Sequence, residues 1–403
     1  MSKLLPFLFV LLAVAFFTQV DQFFHLLYAL FGVYFVGRLW AQRSLASVTL
    51  RRHHDHRVFL DQTFEIDVKL HNQSWLPVLW MRLTDSVPTG LTLGSSFRQI
   101  VSLQPRERLT LTYTLNGRRR GYYRLGPLAT AGGDLLGSKT YEHQETGDDF
   151  VVVYPKIIPL RDLGLPSQSP FGIVPSRERI FEDPTRIQGV RDYQPGDSLR
   201  QMDWKTSARV GSLQVRRFEP AISLETAILL NLNGDDYAQR YRNQATELGI
   251  VVAASVAAHL TEKRQAVGLF TNGADPFGLS SSEDEASGLA PAHPPRKGRE
   301  HLMNILDLLA RIETSSADEA LPFLELLNRK SLGLPWGSTV VVVTAQDADG
   351  LVNSLLSLRR RGLAVVLVLT CPDRNYALMV ERAGQIGVQT HRVWSEKDLD
   401  VWR

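Results

Sequence analysis

Hydrophobic and polar positions divide this chain into three regimes. The N-terminal regime is nearly continuous apolar sequence: Leu4 to Phe17 carries no charge, Thr18-Gln-Val-Asp-Gln22 interrupts it, and Phe23 to Trp40 is apolar again apart from His25, Tyr28, Tyr34 and Arg38. With its flanks each arm has about 17–19 residues, or about 27 Å of helix, enough to cross a thin bilayer. Asp21 in the break is unsuited to the bilayer centre, so the two arms (about 4–20 and 22–40) predict a transmembrane helical hairpin over residues 1–43. Lys3 precedes the first arm, and Arg38, Arg43, Arg51 and Arg52 follow the second. The positive-inside bias then expects a two-pass protein of the plasma (inner) membrane, touching lipid through the hairpin, with both ends and all later domains in the cytoplasm. A cleaved signal peptide fits less well, because the Phe16-Phe17-Thr18-Gln19-Val20 region lacks an Ala-x-Ala-like site and a second apolar run follows.

In the second regime, residues 44–154, the period falls to two. Phe64-Glu-Ile66-Asp-Val68-Lys-Leu70 and Leu109-Thr-Leu111-Thr-Tyr113-Thr-Leu115 alternate as half-buried strands do. Further strands are expected at Val58 to Leu60, Leu76 to Leu83 and Arg98 to Leu103, with turn chemistry at Asp61-Gln62, Pro88-Thr-Gly90 and Asn116-Gly117. Short strands at this spacing predict an immunoglobulin-like β-sandwich.

Residues 155–220 form a connector. Pro155, Pro159, Pro166, Pro170, Pro175 and Pro184 argue against a long regular element there. A short helix is expected after an N-cap at Asp197 or Ser198, ending before Gly211, followed by a strand at Leu213 to Phe218. In the third regime, residues 221–403, apolar runs alternate with helical patterns. Strands are expected at 224–232, 266–271, 339–344, 364–370 and 388–393, and helices at 236–264, 301–311, 321–327, 352–361 and 375–385. That order predicts a mostly parallel α/β sheet covered on both faces, of the Rossmann-like kind that binds ligands at the carboxyl ends of its strands. Residues 280–300 are poor in apolar side chains and read as a mobile loop.

Composition narrows the classes. The chain has 403 residues, of which 44% are hydrophobic and 22% charged, so it has length for two folded domains. A net charge of +3 gives no argument for nucleic acid. The single cysteine, Cys371, follows an apolar run and reads as a buried, inert thiol.

The densest chemistry is Arg191-Asp-Tyr-Gln-Pro-Gly-Asp-Ser-Leu-Arg-Gln-Met-Asp-Trp-Lys-Thr-Ser-Ala-Arg-Val-Gly-Ser-Leu-Gln-Val-Arg-Arg-Phe-Glu219. This stretch resembles the signature of the bacterial and archaeal domain-of-unknown-function family number fifty-eight. Arg120-Gly-Tyr-Tyr-Arg-Leu-Gly-Pro127 matches a second family element, whereas Gly133-Asp-Leu-Leu-Gly137 departs from the Asp-Pro-Phe-Gly that usually follows. The resemblance implies a membrane-anchored protein with a von Willebrand factor A-like domain at 221–403, associated with a MoxR-type AAA+ ATPase. Two readings of Arg191, Asp192, Tyr193, Gly196, Asp197, Arg200, Asp203, Trp204, Lys205 and Arg209 stand side by side. One is an interdomain clamp in which the charges pair and Trp204 fills a pocket. The other is a docking surface for a protein partner, with Trp204 as aromatic anchor and the arginines steering. No histidine lies within the signature, and Ser198 and Ser207 lack a recognisable base, so no catalytic residue is assigned.

The same resemblance implies a divalent-metal site after the first strand of the α/β domain, where the family fold has Asp-x-Ser-x-Ser. Here the positions are Asn231-Leu-Asn233-Gly-Asp235, and Thr344-Ala-Gln-Asp347 forms the later loop. Magnesium favours hard oxygen ligands including carboxylates, so Asn231, Asn233 and Asp235 read either as a degenerate cation site or as a strand end with capping residues. The expected function is a non-enzymatic membrane-anchored adaptor that binds protein partners. The alternative is a metal-dependent ligand-binding or hydrolytic module using that site. His53-His54-Asp55-His56 lies where alternation splits the rings between faces, and Arg118-Arg119-Arg120 reads as a solvated turn. P-loop, zinc and nucleophile-elbow motifs do not occur.

Overall fold

The computed structural model describes Val10, Leu12, Phe16 and residues 21–91, 96–133, 140–145, 149–160, 182–195, 197–220, 225–276, 292–316, 321–345, 349–371 and 376–402. Most of the first apolar arm, Gly196, Asp347 and residues 280–291 lie outside these. The chain divides into two compact units, Met1–Lys156 with Leu309–Arg311, and Ile157–Leu308 with Ile312–Arg403.

The first unit opens with helix α1 (Asp21–Ala46). Asp21 is helical and does not sit in a turn. The helix also outruns the expected arm by six residues, from Trp40 to Ala46, because Ala41-Gln-Arg-Ser-Leu-Ala46 contains no breaker. Its window from Phe24 to Ala46 is long and apolar enough to cross a membrane, and Tyr28, Phe31, Phe35 and Val36 are exposed. One residue, Ser47, separates it from strand β1 (Val48–His54). Trp40 Nε1 donates to Pro77 O at 3.0 Å, fastening the helix to the fold that follows.

The strands after β1 are β2 (Arg57–Phe59), β3 (Thr63–Asn72), β4 (Val78–Ser86), β5 (Ser96–Leu103), β6 (Arg108–Asn116), β7 (Gly121–Arg124), β8 (Leu128–Gly133), β9 (Thr140–Glu145) and β10 (Phe150–Tyr154). They form three sheets, β1-β3-β6, β2-β10-β7 and β5-β4-β8-β9. Alternation works as the sequence implies: along β3 every second side chain is buried, and Ile66, Val68 and Leu70 join Met81, Leu83, Leu103, Val151 and Val153 in one core. Charged side chains also point inward. Arg52 is buried in this core and forks onto Asp85 of β4 at 2.6 Å, so it is not the membrane-flanking cation that its place in the sequence suggested.

The second unit begins with a two-stranded ribbon, β11 (Glu182–Asp192) and β12 (Gln214–Pro220). β11 contains Pro184, contrary to the expectation that prolines exclude a long element here. Register shifts at Asp183/Ile187 and Ile187/Gly189 make the ribbon irregular, and an irregular edge tolerates a residue without an amide hydrogen. The six-stranded sheet that follows has the order β15 (His293–Arg296), β14 (Ala266–Thr271), β13 (Glu225–Leu230), β16 (Thr339–Thr344), β17 (Ala364–Thr370), β18 (Gln389–Val393). All neighbours are parallel except β14 and β15. The expected mobile loop therefore ends early: His293-Pro-Pro-Arg296 is an edge strand. Helices α3 (Arg242–Glu262), α4 (Arg299–Arg311), α5 (Phe323–Ser331), α6 (Asp349–Arg360) and α7 (Tyr376–Gln385) connect the strands. The core strands are buried along nearly their whole length, as in a sheet covered on both faces. β13 lies between β14 and β16, so chain direction across the sheet reverses there, at the place where such sheets open a crevice.

Candidate functional site

The signature folds into the ribbon and its connection. Arg191 pairs with Val215 and Asp192 with Gln214, and the intervening residues hold a 3-10 turn (Leu199–Gln201) and helix α2 (Trp204–Val210). The cap is Asp203, not Asp197 or Ser198: its carboxylate accepts the Thr206 N–H at 3.0 Å, while Ser198 makes no side-chain cap. Gly211 ends the helix at φ +79, in the left-handed region where glycine carries no steric penalty. The Ser207 hydroxyl donates to Asp203 O at 2.7 Å and accepts the Gln214 N–H at 2.8 Å, which joins α2 to β12. Met202 and Val215 are buried as a bridge beneath.

Two acids lock the connection. Arg191 grips Asp197 through both oxygens at 2.7 Å, and Asp197 also accepts the Gln194 N–H at 2.9 Å. Asp203 meets Arg216 at 3.2 Å. The Arg191 hydrogen bonds hold the Asp197 carboxyl below the usual carboxylate range, and the Thr206 amide does the same for Asp203. The Gln214 amide donates to Asp192. These pairs lie within the signature and join none of Arg191, Asp192, Arg200, Asp203 and Arg209 to one another, and Arg200, Lys205 and Arg209 are exposed and form no ion pair among the described residues. Trp204 fills no pocket: it is 64% exposed, and Leu199, Val210 and Leu213 of the same connection are exposed too. Tyr193 is half-buried, with its N–H donating to Leu213 O.

The second candidate lies where β13 and β16 end. Asn231 is buried and its amide is saturated. Its Nδ2 donates to Asp236 Oδ2 at 2.9 Å and Thr344 Oγ1 at 3.1 Å, while its Oδ1 accepts from the Asn233 N–H and Asn272 Nδ2, both at 3.1 Å. Asn233 caps a 3-10 turn (Gly234–Asp236) by accepting the Asp235 N–H at 3.2 Å. Asp235 turns outward to Arg242 at 3.3 Å. Burial pushes the Asp236 carboxyl up. A divalent cation needs convergent oxygen acceptors. Here hydrogen-bond donors of Asn231 face Thr344 and Asp236, and Asp235 diverges, so Asn231, Asn233 and Asp235 do not fit one as arranged. The sequence reading missed Asn272 and Ser315. Asn272 directly follows the apolar run of β14, as Asn231 follows that of β13, and Ser315 Oγ donates to Asn272 O at 2.8 Å.

The fold defines a multi-domain protein: an apolar N-terminal helix, a β-sandwich, and an α/β unit preceded by a signature ribbon. Residues 189–374 match the family described as "Protein of unknown function DUF58". It is 26% identical over 329 residues to "Uncharacterized protein YeaD" of Bacillus subtilis (strain 168), covering 79% of this chain and 75% of the relative. Among solved structures, the CARDB domain of a Pyrococcus furiosus protein is 18% identical over 26% of this chain and 91% of its own, with a TM-score of 0.20. A von Willebrand factor type A protein from Catenulispora acidiphila is 9% identical over 47% of this chain and 43% of its own, with a TM-score of 0.31.

Proposed function

We propose that this protein is a non-enzymatic, membrane-anchored adaptor that captures a protein partner on its signature ribbon. The observation that carries the proposal is the outward face of α2 and its flanks. Trp204, Leu199, Val210 and Leu213 are each exposed, as are Arg200, Lys205 and Arg209, which form no ion pair among the described residues. An exposed tryptophan is the side chain that most often anchors an interface, and the nearby cations in the sequence favour an acidic partner surface and speed encounter. The hydrogen bonds behind the face hold it in one shape, which lowers the entropy lost on binding. Helix α1 supplies the anchor, with a second, N-terminal arm completing a two-pass topology and the soluble units in the cytoplasm. The family resemblance makes a MoxR-type AAA+ ATPase the first partner to test, in a chaperone-like assembly role, and a von Willebrand A-like α/β domain is a fold suited to such protein contacts.

The test is affinity capture of the full chain from native membranes in mild detergent, wild type beside Trp204→Ala. The exposed Trp204 has little stability to lose, so the variant folds normally. Partner affinity drops about thirtyfold or more, as for an interface hot spot. Equal capture of the same partner by both proteins moves the contact off the ribbon, and capture of nothing by either removes the adaptor reading. The metal-dependent alternative makes a separate prediction. Magnesium titrated to millimolar levels gives no saturable heat, and a saturable signal that disappears in Asp235→Ala would restore that alternative.

A further inference from the structure

The outward face of the β1-β3-β6 sheet is divided by charge. In one cross-strand row Thr49, His71 and Arg108 lie opposite one another, and in the next Arg51, Lys69 and Thr110 do. Arg51 therefore faces Lys69 directly, an arrangement of like charges that costs stability. Acids on the same face come only further along, with Asp67 opposite His53 and then Glu65. Arg51, Lys69, His71 and Arg108 join Gln73 and His143 around a cleft of about 670 Å³ that no acidic side chain lines. Among the described residues, none of the three cations has a carboxylate at salt-bridge distance. The basic end of the sheet is also the end nearest α1. Thr49 and Arg51 follow the last residue of that helix by three and five positions, about 10 and 17 Å of extended chain.

We propose that this cleft binds a phosphate-bearing anion, and that the anion is the headgroup of an acidic membrane lipid. Two guanidinium forks and an ammonium from three adjacent strands match a phosphate, and Gln73, Thr49 and the imidazoles add donors at its rim. The lipid source rests on reading α1 as a membrane span, which sets the cleft within reach of headgroups, where juxtamembrane cations meet anionic lipid. The bound phosphate relieves the repulsion between Arg51 and Lys69.

The experiment melts the full-length chain in nanodiscs of phosphatidylcholine, with and without about 30 mol% phosphatidylglycerol, beside the variant Arg51→Gln/Lys69→Gln/Arg108→Gln. Phosphatidylglycerol raises the melting temperature of the wild type by about 2–4 °C and leaves the variant unmoved. In phosphatidylcholine alone the variant is at least as stable as the wild type, because like charges have been removed. A phosphatidylglycerol response shared equally by both proteins overturns the site. Inorganic phosphate at matched ionic strength is the second arm. If it gives the full wild-type response in phosphatidylcholine discs, the anion is soluble and the lipid source is wrong. A chain that never enters the discs overturns the anchor and with it the lipid source, while the phosphate arm in free solution still reads the cleft.

Discussion

Arg52 reaches from β1 across the sandwich to Asp85, and its other nitrogen meets Asp149 at 2.9 Å. Tyr113 donates to the same Asp85 carboxylate at 2.5 Å and stacks on Phe97 at 4.2 Å. Burial pushes the Asp85 carboxyl above its ordinary range against the pull of Tyr113 and Arg52, and burial beside Asp85 raises the Tyr113 hydroxyl. Removing one partner strands a charge in a nonpolar core. Arg52→Ala is expected to cost about 3–5 kcal/mol in urea unfolding followed by fluorescence, whereas Arg52→Met/Asp85→Leu/Tyr113→Phe recovers most of it. Asp203 offers a second test. Its carboxyl is depressed in the folded state, so its stabilisation is present above the ordinary carboxylate pKa and is lost as pH falls through the lower folded value. Asp203→Ala should raise amide exchange of residues 203–216 about three- to tenfold near neutrality, with protection factors converging on wild type in acid. Neither residue's role was legible in the sequence. Alternation puts Arg52 on the inward side of β1, but only the fold supplies Asp85, and Asp197 and Asp203 offer the same capping chemistry six residues apart.

The elements divide by how their burial is made. β14, β16 and β17 lie where the apolar runs place them, because a strand covered on both faces has no polar alternation to confuse its limits. β15 was hidden, since His-Pro-Pro-Arg has neither period nor propensity. It exists because β14 has a glycine opposite it. A Cβ on Gly268 would meet Pro295 N at 2.6 Å and His293 O at 2.7 Å. Gly268→Ala is therefore expected to cost about 1–3 kcal/mol by chemical denaturation, and the same change at Gly189, which has open space, less than 1. The ribbon was half legible. Its second strand and the glycine that ends α2 follow from the sequence, while the bulged path that admits Pro184 does not. At the metal-like site, position was legible and chemistry only in part: the neutral Asn231 was visible, but its bonds reach Asp236 in the following 3-10 turn, Thr344 at the end of β16 and Asn272 after β14.

At the scale of the molecule, membrane attachment is the property on which both functional proposals lean. Deleting residues 1–39 keeps Trp40 and its bond to Pro77, and is expected to move the protein from the carbonate-resistant membrane fraction to the supernatant with the sandwich still folded. Retention in the pellet would place the membrane contact elsewhere. The join between α1 and β1 has a mechanical consequence. Ser47 is the only residue between helix and strand, and Trp40 ties the helix to the sandwich a second time. Were α1 the proposed membrane anchor, a long tether would let this unit search a volume beside the bilayer. This join leaves no slack, so an anchored α1 would set the height and tilt of the sandwich above the lipid, like a stake driven into the surface. Under that proposal a force applied to the sandwich would reach the bilayer directly, and a partner pulling on it would do work on the membrane rather than on a spring.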